Sequence, residues 1–111
     1  MEAQSPFKYA IENLPDDQRG NKVVTVKCQG RLTRESASQL KEAVKPLIAA
    51  GGRTIVDLGD VSFMDSSGLG ALVSLRVTAI NQGLCILEFV NMTPRVLELL
   101  RITRLMDIIK S

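Results

Sequence analysis

The sequence predicts a single α/β domain, a mixed β-sheet of four to five strands with helices packed against it, in the order β-β-α-β-α-β-α-β. Three observations lead there. Runs rich in β-branched residues alternate along the chain with stretches of 3.6-residue apolar period. Glycine or proline stands where one period gives way to the other, at Gly30, Gly51, Gly52, Gly83 and Pro94. The length, 111 residues with 45% apolar and 23% charged, suits one core, and no linker, repeat or low-complexity segment divides it.

The elements follow in order. "FKYAIENL" (7–14) alternates Phe7, Tyr9 and Ile11 with charged or small residues, which predicts a first strand, and the polar "PDDQRGN" turn joins it to the second. "NKVVTVKCQG" (21–30) places Val23, Val24, Thr25 and Val26 in a row and ends on glycine, as a strand does. Thr33 caps a helix predicted from Arg34 to about Ala50, with Ala37, Leu40, Val44, Leu47 and Ile48 as its buried stripe and Gly51-Gly52 as its stop. Pro46 lies inside that span, so a kink or a break near Lys45 is expected, because proline lacks the amide donor and crowds the preceding turn.

A short buried strand is predicted over about Thr54 to Leu58. From Ser66 or Ser67 to Asn81 the helical period returns, with Leu69, Leu72, Val73, Val77 and Ile80 on one face and Gly83 closing the helix. "LCILEFV" (84–90) reads as a strand buried on both faces. Thr93-Pro94, a cap followed by proline at the first helical position, starts a third helix with Val96, Leu97 and Leu100 inside. "RLMDII" near the end reads as a last short strand.

Composition excludes several classes of function. Lys and Arg total 14 against 12 Asp and Glu, and no basic run concentrates the net +2, so neither direct nucleic-acid binding nor an anionic membrane surface is expected. No segment approaches the ~20 apolar residues of a membrane helix. The N-terminal "MEAQSPFKYAIENL" lacks the apolar core of a secretion signal. Cys28 and Cys85 each lie in an apolar strand-like run and read as packed free thiols, in keeping with a reducing cytoplasm. The chain has no histidine, which removes the commonest general base, the commonest metal ligand and every Ser-His or Cys-His dyad.

The segment that calls for explanation is "SFMDSSGLGALVSL" (62–75), where a loop turns into a helix at Asp65-Ser66-Ser67-Gly68. Asp65 or Ser66 serves as a helix cap, its side-chain oxygen accepting from an otherwise unpaired amide, worth ~1 kcal/mol. A nucleophilic serine fits poorly, since Met64 stands where a nucleophile elbow needs glycine and no histidine is present to take the proton. A phosphate-binding loop also fits poorly: "GLGALVSL" lacks the Gly-Lys-Ser/Thr ending, and Val73 stands where a G-x-G-x-x-G would close. Asp57, Asp60 and Asp65 cluster in sequence without a second ligand set, so no metal or cofactor is expected. Steps of four from Ser66 give Gly70, Ser74 and Thr78, a low and uncharged stripe where exposed helices ordinarily carry long charged side chains. Such a stripe suits close approach of a partner or a second burial surface within the domain, and pattern alone leaves both open.

"VDLGDVSFMDSSGLGALVSL" (56–75) resembles the signature of the STAS domain, in the form found in bacterial anti-sigma factor antagonists: a strand ending in an acidic residue, then F-[ML]-D-S-[ST]-G-L-G opening a helix. Asp57, Phe63, Met64, Asp65, Ser66, Ser67, Gly68, Leu69 and Gly70 match it in register. "NMTPRVLELLRITRLMDII" (91–109) is similar to the segment that follows the family's last long strand, through Thr93, Pro94, Val96 and Leu99. The similarity runs from about Val23 to Ile109, so residues 1–111 are expected to form one STAS domain.

The resemblance implies a cytoplasmic binding module and not an enzyme. In the family the serine after the aspartate, here Ser66, is phosphorylated by an anti-sigma factor of Bergerat ATPase fold acting as a serine kinase. The unmodified antagonist binds that factor and frees the sigma factor; the phosphorylated form does not bind, and a metal-dependent serine phosphatase restores it. The partner face implied here comprises Asp60, Ser62, Asp65, Ser66, Ser67, Gly70 and Ser74, with Arg31 and Thr33 as neighbours. The alternative is a STAS subunit that docks on a transporter ATPase or a stress-signalling scaffold without being phosphorylated. Three features depart from the family pattern. Its frequent Gly-Glu-Leu-Asp is Gly30-Arg31-Leu32-Thr33 here, Arg104 stands where glycine is common, and Ser111 follows directly on the last predicted strand where many relatives continue into a helix.

Overall fold

The computed structural model describes residues 6–110. β1 (Lys8–Leu14) runs antiparallel to β2 (Val23–Leu32), with Lys8 opposite Gln29 and Leu14 opposite Val23. β2 is parallel to β3 (Gly52–Met64), and β3 to β4 (Cys85–Val90), giving one sheet in the order β1-β2-β3-β4. Each parallel step needs a crossover, and a helix provides it: α1 (Arg34–Ala50) joins β2 to β3, and α2 (Ser66–Gln82) joins β3 to β4. α3 (Pro94–Thr103) and α4 (Met106–Lys110) complete the chain.

Alternation along the strands decides where the core lies. Val26, Cys28, Val56, Leu58, Leu87 and Phe89 share one core with Leu40, Val44, Ile48, Leu72, Leu75 and Leu100 of the helices. Full burial of each such side chain contributes about 1.5–3 kcal/mol. The opposite sheet face stays partly open, and there the half-exposed Arg53 holds Glu88 through two hydrogen bonds (Nε to Oε1 3.1 Å, NH2 to Oε2 2.9 Å) and reaches Asp17 at 3.4 Å. That cluster ties the β1–β2 turn to the far side of the sheet.

Several expectations are corrected. The predicted short strand is thirteen residues long, because β3 stays paired with β2 through register shifts between Lys27 and Gln29 and between Gly30 and Arg31. α1 continues unbroken through Pro46: both Pro46 and Glu42, whose carbonyl loses its donor, are exposed, so that carbonyl is not left unpaired in the core. β4 is an edge strand with one face open, which leaves Ile86 exposed where burial on both sides was expected. In α3, Val96 and Leu100 are buried but Leu97 is not. Both cysteines are free thiols, as expected; Cys28 is buried and Cys85 partly so.

"RLMDII" is not a strand. Arg104 turns left-handed (φ 61°) to end α3, the Leu105 amide donates to the Leu100 carbonyl at 2.9 Å, and α4 follows. Ile109 is buried in the core. The reading of the N-terminus as lacking a secretion signal falls partly on residues 1–5, outside the described residues. Among the described residues no helix is long and apolar enough to cross a membrane.

Candidate functional site

Parallel strands deliver the site. The C-terminal ends of β2 and β3 lie side by side, with Leu32 opposite Met64, so the first turns of α1 and α2 begin at the same edge of the sheet. Helices leaving the carboxyl ends of parallel strands make that edge the usual place for a functional site. The Asp65 amide donates to the Leu32 carbonyl at 3.4 Å and fixes the junction.

Asp65 is the cap of α2. Its backbone is extended (φ −106°, ψ −172°), and its Oδ1 accepts from the Gly68 amide at 3.0 Å. Ser66 is therefore the first helical residue, exposed, with no hydrogen-bond partner for its hydroxyl among the described residues. Ser67 is half-buried and Gly68 buried. Gly68 is needed for space, because a Cβ there would run into the Leu32 carbonyl oxygen and lie 2.9 Å from Met64 Cγ. Gly70 is different: a Cβ added there would meet nothing within 4 Å, and the position opens to solvent.

The orientation of α2 differs from the sequence expectation. Leu69 and Leu72 face the core as predicted, but Leu75, Arg76 and Ala79 join them, while Val77 (46%) and Ile80 (62%) are exposed. The apolar residues run almost all round this helix, so periodicity had no unique answer. The outward line is Ser66, Gly70, Val77 and Ile80, with Val73 half-buried beside it.

Arg76 explains the rotation. It is only 5% exposed, and its guanidinium donates to the carbonyls of Leu87 (2.6 Å), Ile108 (3.0 Å) and Ile109 (2.5 Å). It also lies 5.2 Å from the Phe89 ring centroid. Burial pulls its pKa below the ordinary arginine value, opposed by the Glu88 carboxylate. Arg76 thus points at α4, and residues two positions either side of it lie ~200° round the helix, on the opposite flank. These are Ser74 and Thr78, both half-buried, with Thr78 Oγ1 donating to the Ser74 carbonyl at 2.9 Å. The small-residue stripe therefore divides: Ser66 and Gly70 face outward, Ser74 and Thr78 sideways.

The remaining candidates fall in three places. Thr33 caps α1 beside this junction; its amide donates to Ser36 Oγ at 2.8 Å, and Ser36 Oγ donates to the Arg31 carbonyl at 2.8 Å. Arg31 pairs in register with Phe63 and stacks on its ring, Cζ 4.3 Å from the centroid. Ser62 is exposed next to Phe63, at the same end of β3. Asp60 lies further back, opposite Gln29, in a shallow groove with Lys8, Tyr9 and Lys27. Asp57 closes the β3–β4 edge instead, accepting from the Gly59 amide at 2.9 Å and from Asn91 Nδ2 at 3.2 Å.

Two features escaped the sequence reading. Arg76 stood as a charge inside an apolar helical run, which signals either exposure or a buried carbonyl clamp. Arg95, at the start of α3, reaches the Phe63 ring from the other side of β3 (Cζ 5.2 Å), a contact with no sequence signal.

Comparison with known proteins gives a consistent picture. A family model described as "Mlab, STAS domain" matches residues 16–110. An anti-sigma-B factor antagonist of Bacillus subtilis (strain 168) is 37% identical over 86 residues, 78% of this chain and 78% of the relative. The solved structure of the anti-sigma factor antagonist SpoIIAA in its unphosphorylated form superposes with a TM-score of 0.68 at 20% identity, covering 88% of this chain and 82% of that one. The structure of the Bacillus cell fate determinant SpoIIAA in the phosphorylated form gives 0.66 at 19% identity, over 90% and 86% of the two chains. At those identities the two structures establish a shared fold.

Proposed function

Because this chain belongs to the STAS domain family, we propose that it works as an anti-sigma factor antagonist whose docking is switched at Ser66. The observation that carries the proposal is the Ser66 hydroxyl itself: exposed, unpartnered among the described residues, first in α2, and at the head of the outward line through Gly70, Val77 and Ile80. In this reading the unmodified protein binds an anti-sigma factor of Bergerat ATPase fold across that line and frees the sigma factor. The same factor phosphorylates Ser66, and a metal-dependent serine phosphatase reverses it. The protein acts by binding in the cytoplasm and carries out no chemistry of its own.

The physics of the position supports a switch that leaves the fold intact. A phosphate adds about 1.5–2 negative charges where a neutral hydroxyl stood. The free amides and dipole of a helix N-terminus tolerate that charge. The Gly68 amide is already committed to Asp65, however, so the dianion would share the end of α2 with a carboxylate and project into any interface there. Loss of 2–4 kcal/mol at a close, desolvated contact weakens affinity by roughly 30- to 900-fold.

A second reading is favoured by Val77 and Ile80, whose exposed apolar side chains suit a lasting interface. In it the domain docks on a transporter ATPase or a stress-signalling scaffold and Ser66 is never modified. Incubation with ATP and the Bergerat-fold kinases of the same genome, with phosphate mapped by mass spectrometry, separates the two. The antagonist reading predicts one phosphate on Ser66 and none in Ser66→Ala; equal labelling of Ser66→Ala, or no labelling by any of the kinases, overturns it.

A further inference from the structure

Beside Ser66 lies a feature that the phosphorylation switch does not use. Phe63, three residues before the acceptor, is shared by two arginines that come from opposite sides of β3: Arg31 from the end of β2, and Arg95 from the first turn of α3. The guanidinium carbons stand 4.3 and 5.2 Å from the ring centroid. A guanidinium held over an aromatic ring is attracted through its face, and its N–H donors in the plane stay free for another group.

The nearby carboxylates do not supply that group. Asp65 caps Gly68, and Asp57 holds Gly59 and Asn91. Glu98 sits 3.8 Å from Arg101. Glu35 lines a shallow groove with Arg31 and Thr33 without forming an ion pair. Among the described residues neither Arg31 nor Arg95 has an ion-pair partner. Two cations are therefore gathered on one ring at one end of the sheet, with their hydrogen-bonding edges unoccupied among the described residues. Planar forks of this kind match the two oxygens of a carboxylate, and prior orientation lowers the entropy lost on binding.

We propose that Arg31 and Arg95, splayed on Phe63, read acidic side chains on the protein that docks at Ser66. The identity of that protein as an anti-sigma factor rests on the reading above; the acidic chemistry rests on the arginines alone. The placement couples the two. Ser66 follows Phe63 by three residues, so phosphate there adds negative charge at the same end of the sheet and against an acidic partner.

The test uses the full chain and a short glutamate-rich peptide as probe, with its glutamine twin and inorganic phosphate as controls, read from the arginine Nε–H signals by NMR. The glutamate peptide should shift the Arg31 and Arg95 signals saturably, and the glutamine twin should leave them in place. Affinity should fall about tenfold in Arg31→Gln/Arg95→Gln, two charge-assisted pairs being lost. It should also weaken as salt rises from about 50 to about 500 mM, because exposed charges are screened. Arg31→Lys, which keeps the charge and loses the fork, should retain only part of the affinity, and thermal melts check that each variant is folded. No shift with the glutamate peptide overturns the assignment, and so does an equal response to inorganic phosphate, which marks an unselective oxyanion site. Movement of the same signals on Ser66 phosphorylation without peptide, with peptide affinity unchanged, also overturns it, since the arginines would then hold the chain's own phosphate. The peptide titrations need no kinase, so a failure of Ser66 labelling counts against the antagonist reading alone.

Discussion

Gly68→Ala should unfasten the N-terminal end of α2. The added Cβ would run into the Leu32 carbonyl oxygen and stand 2.9 Å from Met64 Cγ and 3.0 Å from Leu32 Cγ, against ordinary separations of ~3.5 Å. None of these atoms can retreat. Leu32 is 0% and Met64 1% exposed, and the Leu32 carbonyl also receives the Asp65 amide that joins β2 to α2. Overpacking against backbone falls at the upper end of the usual range, about 3 kcal/mol, and the better helix propensity of alanine returns about 1 kcal/mol. The net loss is about 2 kcal/mol, or a fall in Tm of roughly 9 °C for a domain of this size. Gly70→Ala is the internal control: the space around it is open, so the same substitution should stabilise by up to ~1 kcal/mol. Urea unfolding followed by circular dichroism compares the two. A Gly68→Ala protein as stable as Gly70→Ala would refute the close approach of α2 to Leu32 on which the site's geometry depends.

Other expectations follow from single features of the molecule. Arg76→Met keeps the volume but leaves the carbonyls of Leu87, Ile108 and Ile109 without their donor, and should cost about 3 kcal/mol in urea unfolding. Arg104→Gly should stabilise by ~1 kcal/mol in the same assay, since Arg104 holds a left-handed φ of 61° at the end of α3 where glycine carries no steric penalty. Burial, and secondarily the Asp57 carboxylate, pushes the Cys28 thiol up from its usual 9.0 to about 12. Thiol reagents near neutral pH should therefore label Cys85 well before Cys28. Because the folded pKa is the higher one, the Cys28 contribution to stability is complete below the unfolded value and is lost as pH rises from about 9 towards about 12, which alkaline unfolding curves of wild type and Cys28→Ala would compare.

Elements whose boundaries rest on local chemistry were legible in the sequence. Asp65, Thr93-Pro94 and Gly83 mark helix ends through side-chain oxygens, a fixed φ and a left-handed turn, all properties of one or two residues, and each stands where expected. What failed depended on neighbours distant in sequence. α2 is apolar on nearly every side, so its orientation was decided by Arg76 finding the carbonyls of β4 and α4, not by its own period. β4 was read as doubly buried because its composition is mostly apolar, yet the sheet face it shares with Arg53 is uncovered and leaves Ile86 exposed. "RLMDII" carries β-branched residues but begins on a left-handed Arg104, and that turn, invisible in composition, restarts the chain as helix. At the site, the Asp65 cap was readable from "DSSG" and Ser66 was singled out by the family resemblance, whereas the arginine pair on Phe63 brings together positions 31, 63 and 95 through sheet register and the start of α3.

The most direct test of the account is the affinity of the kinase for the two forms of this protein. Unmodified and Ser66-phosphorylated chains, titrated into the anti-sigma kinase that labels Ser66, should differ by at least about 30-fold in Kd, with the unmodified form the tighter. Circular dichroism of the two forms should remain the same. Equal affinities for the two forms would contradict the claim that Ser66 governs docking.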